Sequence, residues 1–180
     1  QNYALYTYIR KKYALNVEII SNISQLNNIA DSKIKNLAKR LKYIYLSWLF
    51  NRSSKRKKNF LNFNKNMNFS KKIYDNYHSL KNSDYNKTII GSDQVWNYNF
   101  DMPDLFFGIG MNKKNNYSYS ASFGVSAIPN NKKKYYQTRL ENICYISVRE
   151  DRGKEIVEEL TGRNDIEVLI DPTMLLTPEE

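Results

Sequence analysis

From Lys87 onward one pattern recurs, and it constrains the fold more than any other feature of the chain. A short apolar run is closed by small or polar residues, and most of these closures lead toward a stretch of helical periodicity. The runs are Thr88–Gly91 (TIIG), Tyr117–Ala121 (YSYSA), Ile143–Val148 (ICYISV) and Ile166–Ile170 (IEVLI). Lys132–Asn142 is a candidate helix, and Asp151–Leu160 sets Ile156, Val157 and Leu160 on one helical face with Gly162 as its stop. Nearer the start, Ala4, Leu5, Tyr8, Ile9, Lys12 and Tyr13 follow helical spacing, and Val17–Ile20 (VEII) reads as a further strand of the same sheet. Strands alternating with helices predict an α/β domain, a mainly parallel sheet with helices on both faces.

The middle of the chain has a different texture. Ser21–Asp31 is polar and reads as a loop. Ile34, Leu37, Leu41, Ile44, Tyr45, Trp48 and Leu49 form an apolar stripe, which predicts an amphipathic helix over Asp31–Phe50. The basic run Arg52–Lys58 (RSSKRKK) follows, then Asn59–Leu80, read as a second helix or an irregular segment, so that 31–86 reads as a helical insertion. With 28 Lys and Arg against 18 Asp and Glu, the 180 residues carry a net charge of +10. A single Cys rules out a disulfide framework, and a single His beside it leaves little from which to build a zinc site. Neither a metal nor a cofactor is expected. No apolar run reaches the roughly 18–20 residues of a membrane span, and no signal peptide opens the chain. These features fit a basic, cytoplasmic domain.

Gln1 opens inside a helical pattern, and Thr177-Pro178-Glu179-Glu180 has the form of a helix start with Thr as cap and Pro in the first turn. The expectation is a piece of a longer protein, interrupted at both ends.

In an open parallel sheet, ligands bind beyond the carboxyl ends of the strands. The segments at those positions are Gly91-Ser92-Asp93-Gln94-Val95-Trp96-Asn97, Ser122-Phe123-Gly124, Arg149-Glu150-Asp151 and Asp171-Pro172. Gly, Ser, Asp and Pro are also ordinary turn residues, so the convergence marks a region before it marks a chemistry.

Five stretches, QNYALYTYIRK, IIGSDQVWN, YSASFG, ISVREDRGKEIVEEL and VLIDPTMLL, resemble the polysaccharide pyruvyl transferase family in their order and spacing. The resemblance covers most of Lys87–Glu180 and the first helix, and is weak between Ser21 and Asn86. It implies a Rossmann-like domain, one half of a glycosyltransferase-B-like two-domain enzyme. It also implies transfer of a pyruvyl group from phosphoenolpyruvate to sugar hydroxyls of a surface polysaccharide or its lipid-linked precursor, as a cyclic ketal. Members of the family usually open with a Gly-containing turn before the first helix. That turn does not occur here, nor does a second domain, and the chain alone is not expected to catalyse the reaction.

Ketal formation from an enol ether needs an acid for the methylene carbon, cations for carboxylate and phosphate, and a base for the hydroxyl protons. Arg149 is the candidate anion clamp, because a guanidinium meets a carboxylate or phosphate through paired N–H groups; the alternative is an ion pair with a neighbouring acid. Asp93 and Asp171 are the acid–base candidates, with turn capping and strand termination as their structural alternatives. Gln94 and Ser122 are candidates to bond a sugar or ketal oxygen, or else they satisfy loop backbone. Trp96 is either a stacking surface for a sugar ring or a core residue. Gly124, like Gly91, reads as a point of close backbone approach. Phe123 reads as packing, Cys144 as a small buried hydrophobe, and His78 as a surface residue.

Two other functions remain open at this level. A glycosyltransferase using a nucleotide sugar would share the two-domain architecture. A nucleic-acid binder would account for the charge and for Arg52–Lys58, although the aromatics form no ribonucleoprotein-type motif and no nucleic acid is expected. The Asp31–Lys58 segment also has the composition for peripheral contact with the inner face of a membrane, apolar side chains beside Arg52, Lys55, Arg56, Lys57 and Lys58. Packing of Trp48 against the sheet is its alternative.

Overall fold

The computed structural model describes residues 1–22, 59, 62–74, 80, 84–100 and 104–177. Two compact units emerge, one of residues 1–15 and 75–180 and the other of residues 16–74. The protein is a mixed α/β structure with small parallel sheets.

In the larger unit, β3 (Thr88–Ile90) and β4 (Asn116–Ser118) pair in parallel through Ile89↔Tyr117, and β5 (Ser147–Val148) and β6 (Glu167–Val168) pair in parallel through Val148↔Val168. Parallel bridges Tyr117↔Tyr145 and Ala121↔Val148 join the two ladders. The first members of these bridges are four positions apart and the second members three, so one extra residue is accommodated before Ala121. Ser120 sits at this slip with φ 50°, left-handed for a non-glycine residue. Serine side chains take over the lost backbone bonding. Ser147 Oγ donates to the Ser118 carbonyl (2.8 Å) and accepts the Ser120 N–H (3.1 Å), while Ser118 Oγ accepts the Ser147 N–H (3.1 Å). Over 117–120 burial alternates: Ser118 and Ser120 are buried and Tyr117 and Tyr119 half-buried, and from there Ala121 and Ser122 are both buried.

Helix α2 (Asn130–Leu140) links β4 to β5 and buries Tyr136 and Leu140, one turn apart. Helix α3 (Asp151–Thr161) links β5 to β6, buries Gly153, Ile156 and Val157, and ends on Gly162 in the left-handed region, as its sequence implies. Trp96, Phe107, Phe123 and Tyr136 fill the core beneath them, together with Ile143, Ile146 and Val148. Helix α1 (Asn2–Tyr13) packs on the short 3-10 turn Pro172–Leu175.

Two expectations are corrected here. The Ile143–Val148 run is not a fully buried strand, because Cys144 and Tyr145 are exposed and regular pairing is confined to its last two residues. Cys144 is therefore a surface thiol rather than a buried hydrophobe.

In the smaller unit, β1 (Ile19–Asn22) pairs in parallel with β2 (Phe69–Tyr74), with a register shift between Ile19 and Ser21. Residues 69–74 are thus a strand, not part of a helical insertion. Among the described residues the strand expected at Val17–Ile20 pairs with β2 instead of joining the sheet of β3–β6. The FSKKIY sequence of β2 carries two adjacent lysines at its centre, which hides it from a search for apolar runs. The amphipathic helix and basic run expected over Asp31–Lys58, His78 and the helix start beyond Thr177 lie outside the described residues.

Candidate functional site

Three strand-end turns converge in the larger unit. The turn after β3 is stitched to the one after β4: the Ser122 N–H donates to the Asp93 carbonyl (3.0 Å), and the Trp96 N–H donates to the Ser122 carbonyl (3.1 Å). The Arg149 N–H, just past β5, donates to the Ala121 carbonyl (3.1 Å). These backbone bonds bring Asp93, Ser122 and Arg149 to one edge.

Arg149 is the hub. Its Nε donates to Glu150 Oε1 (3.0 Å), and its Nη1 donates to the Ser92 carbonyl (3.2 Å) and to Asp171 Oδ2 (3.3 Å). The side chain is 23% exposed. A guanidinium has five N–H donors, one on Nε and two on each Nη. Three are engaged within the protein, and among the described residues the two on Nη2 have no partner.

Asp171 is saturated. Oδ1 accepts the Thr173 N–H (3.0 Å) and hydroxyl (2.8 Å), while Oδ2 accepts from Arg149 and from the Gln1 side-chain amide. Partial burial pushes its carboxyl up, but the bonds from Thr173, Gln1 and Arg149 outweigh that and hold it below the ordinary carboxylate range. Ser122, expected among the substrate ligands, is fully buried; its hydroxyl donates to Glu150 Oε1 (2.6 Å) and accepts the Gly124 N–H (3.1 Å). Asp93 and Gln94 are exposed, Asp93 Oδ1 accepting the Gln94 N–H (2.8 Å) and Gln94 Oε1 accepting from Asn97 Nδ2 (2.8 Å). Gly124 has φ +60°, and a Cβ there would lie 2.4 Å from Gln94 Cδ, so the close approach read from the sequence is real and its partner is Gln94. Beside Glu150, a recess of about 320 Å³ is lined by Phe123, Gly124, Val125, Ser126, Glu150, Arg152 and Gly153.

A sequence model of the family described as polysaccharide pyruvyl transferase matches residues 1–180. The chain belongs to the polysaccharide pyruvyl transferase family. No match is found among curated proteins, and none among solved structures. No helix among the described residues is long and apolar enough to cross a membrane, and among the same residues no cluster of His, Cys, Asp and Glu could hold a metal ion.

The arrangement divides the expected site residues. Asp93, Gln94, Gly124, Arg149 and Asp171 lie along one connected set of contacts with Ser122 at its centre. Trp96 does not belong to the exposed part. It is 0% exposed, its ring stacks on Phe107 at 6.0 Å between centroids, it contacts Phe123, and its indole N–H donates to the Phe106 carbonyl (2.9 Å). An indole enclosed in this way offers no face to a sugar, so the stacking expectation is corrected to core packing. Glu150 was not singled out in the sequence, because an acid beside an arginine at a strand end reads as an ordinary turn pair. The carbonyl of Ser92 carries no side-chain signal at all.

Proposed function

We propose that this chain forms part of an enzyme transferring the pyruvyl group of phosphoenolpyruvate to two hydroxyls of a surface polysaccharide or its lipid-linked precursor. We place it as a Rossmann-like half of a glycosyltransferase-B-like enzyme, a placement supported by the parallel β3–β6 pairing and by family membership. The overall change balances without a redox partner. The diol gives up two protons, one of which is delivered to the methylene carbon of phosphoenolpyruvate. The two oxygens bond to the former enol carbon, and phosphate leaves with the other proton.

The observation that carries the reading is the unengaged Nη2 of Arg149 at the carboxyl edge of the strands. Because Nε and Nη1 are already used, Arg149 offers an incoming carboxylate or phosphate one nitrogen rather than a two-nitrogen fork. Asp171, saturated and held ionised, is assigned to fixing Arg149. Asp93, exposed at the same edge, is the remaining proton-transfer candidate. Gln94 and the recess beside Gly124 are the nearest surfaces for a sugar. The carboxylates of Asp93, Glu150 and Asp171 outnumber the Arg149 guanidinium, and Arg152 at the recess is already paired with Glu155 and Glu159, so the negative charge of phosphoenolpyruvate calls for further cations from elsewhere in the enzyme.

The test is phosphate release by the full-length enzyme supplied with phosphoenolpyruvate and polysaccharide from the source cells. Arg149→Ala is expected to remove about 2–4 kcal/mol of transition-state stabilisation. An unchanged kcat/KM for phosphoenolpyruvate would take Arg149 out of the site, and absence of any phosphoenolpyruvate-dependent release would overturn the reaction.

A further inference from the structure

We propose that Glu150 is a positioning residue, which aims the free Nη2 of Arg149 by tying the guanidinium to the Ser122–Gly124 turn. This inference rests on the reading of Arg149 as an anion seat and adds the residue through which that seat is built.

One oxygen of Glu150 makes the connection. Oε1 accepts from Arg149 Nε at 3.0 Å and from Ser122 Oγ at 2.6 Å. Ser122 Oγ, fully buried, in turn accepts the Gly124 N–H at 3.1 Å. The Arg149 head is thus fastened on one side to the turn after β4 through Glu150, and on the other to the turn after β3 and to Asp171 through Nη1. A guanidinium on its long stem otherwise retains several rotamers, and binding an anion would have to restrict them. With Nε and Nη1 both fixed, the planar group presents the Nη2 edge before any ligand arrives.

The local backbone argues that this is more than helix capping. Glu150 occupies the N-cap position of α3, yet its side chain makes no capping hydrogen bond there. It is turned toward Arg149 and Ser122 instead. Replacing it therefore removes no side-chain cap, so loss of anion affinity and loss of helix stability can be measured apart.

The experiment is calorimetric binding of phosphoenolpyruvate to the full-length enzyme and its Glu150→Ala, Glu150→Gln, Arg149→Ala and doubly substituted Ala variants, with thermal unfolding of each as the folding control. A glutamine amide oxygen can still accept from both Arg149 and Ser122. Glu150→Ala is expected to raise the Kd by about tenfold, Glu150→Gln to keep it within about threefold, and the double variant to bind like Arg149→Ala alone. Wild-type affinity for Glu150→Ala beside a weakened Arg149→Ala overturns the positioning role and leaves the anion seat standing. So does a full additional loss in the double variant, which would place Glu150 on the substrate itself. A glutamine variant as weak as the alanine one would show that charge rather than aim matters, and also overturns it. Wild-type affinity for Arg149→Ala overturns both readings.

Discussion

Gly124 shows how closely single residues are fitted at this edge. Its φ is +60°, and a β-carbon would approach Gln94 Cδ to 2.4 Å and Oε1 to 2.5 Å. Gln94 would have to swing away and give up the bond its Oε1 accepts from Asn97. Gly124→Ala is expected to cost about 1–2 kcal/mol from the left-handed backbone alone, read as a lower denaturation midpoint, and to release Gln94 from Asn97. At this scale the sequence was informative about place and less so about role. Asp93, Gln94, Ser122, Gly124, Arg149 and Asp171 were legible as strand-end residues because a parallel sheet puts its ligand edge there. Which of them face outward was not legible. Ser122 and Asp171 are consumed by internal bonds, and Trp96 is enclosed by Phe107 and Phe123, neighbours that lie up to 27 positions away in the chain.

Among the elements, the segment from Asp171 to Leu175 gives the clearest test. Asp171 caps this short turn through Thr173 and holds Arg149 across to the end of β5. Because its folded-state pKa is lowered, its contribution to stability is present above the ordinary carboxylate pKa of 3.8 and is lost as the pH falls through the folded value. Asp171→Asn should therefore destabilise by about 1 kcal/mol at neutral pH. The gap in Tm between variant and parent should close as the pH is taken below 4. A gap that persists in acid would mean that the ionised carboxylate is not the source of the effect. Helix α3 was readable in full, since its apolar face and Gly162 stop are local signals. Strand β2 was not, since Lys71 and Lys72 interrupt its pattern. Which side of Tyr117–Ala121 faces inward was not legible, because hydroxyls bonded to strand backbone can replace apolar packing, and residue types alone do not reveal that.

For the molecule as a whole, the core of the larger unit encloses one tyrosine completely. Tyr136 is 0% exposed, packs against Phe107 and Phe123, and donates its hydroxyl to the Trp96 carbonyl at 2.6 Å. Burial pushes its phenol well above the ordinary 10.0, with Tyr135 and Tyr98 adding to the shift. The sign follows directly: its stabilising effect is complete below pH 10 and is lost as the pH rises toward the folded value, because the unfolded chain releases the proton first. Phenolate absorbance should show Tyr136 ionising only together with global unfolding, and Tyr136→Phe should move that alkaline transition upward. Ionisation of Tyr136 before any loss of helical circular dichroism would contradict this. The slip at Ser120 has a different kind of consequence, one for how such a chain can change length. Beyond it Ala121 faces Val148, so Ser122 falls into step with the Arg149–Glu150 pair. Dropping a single residue between Tyr117 and Ala121 would equalise the two spacings, so this chain could lose the extra residue while Ala121 still faces Val148 and Ser122 keeps its step with Arg149 and Glu150.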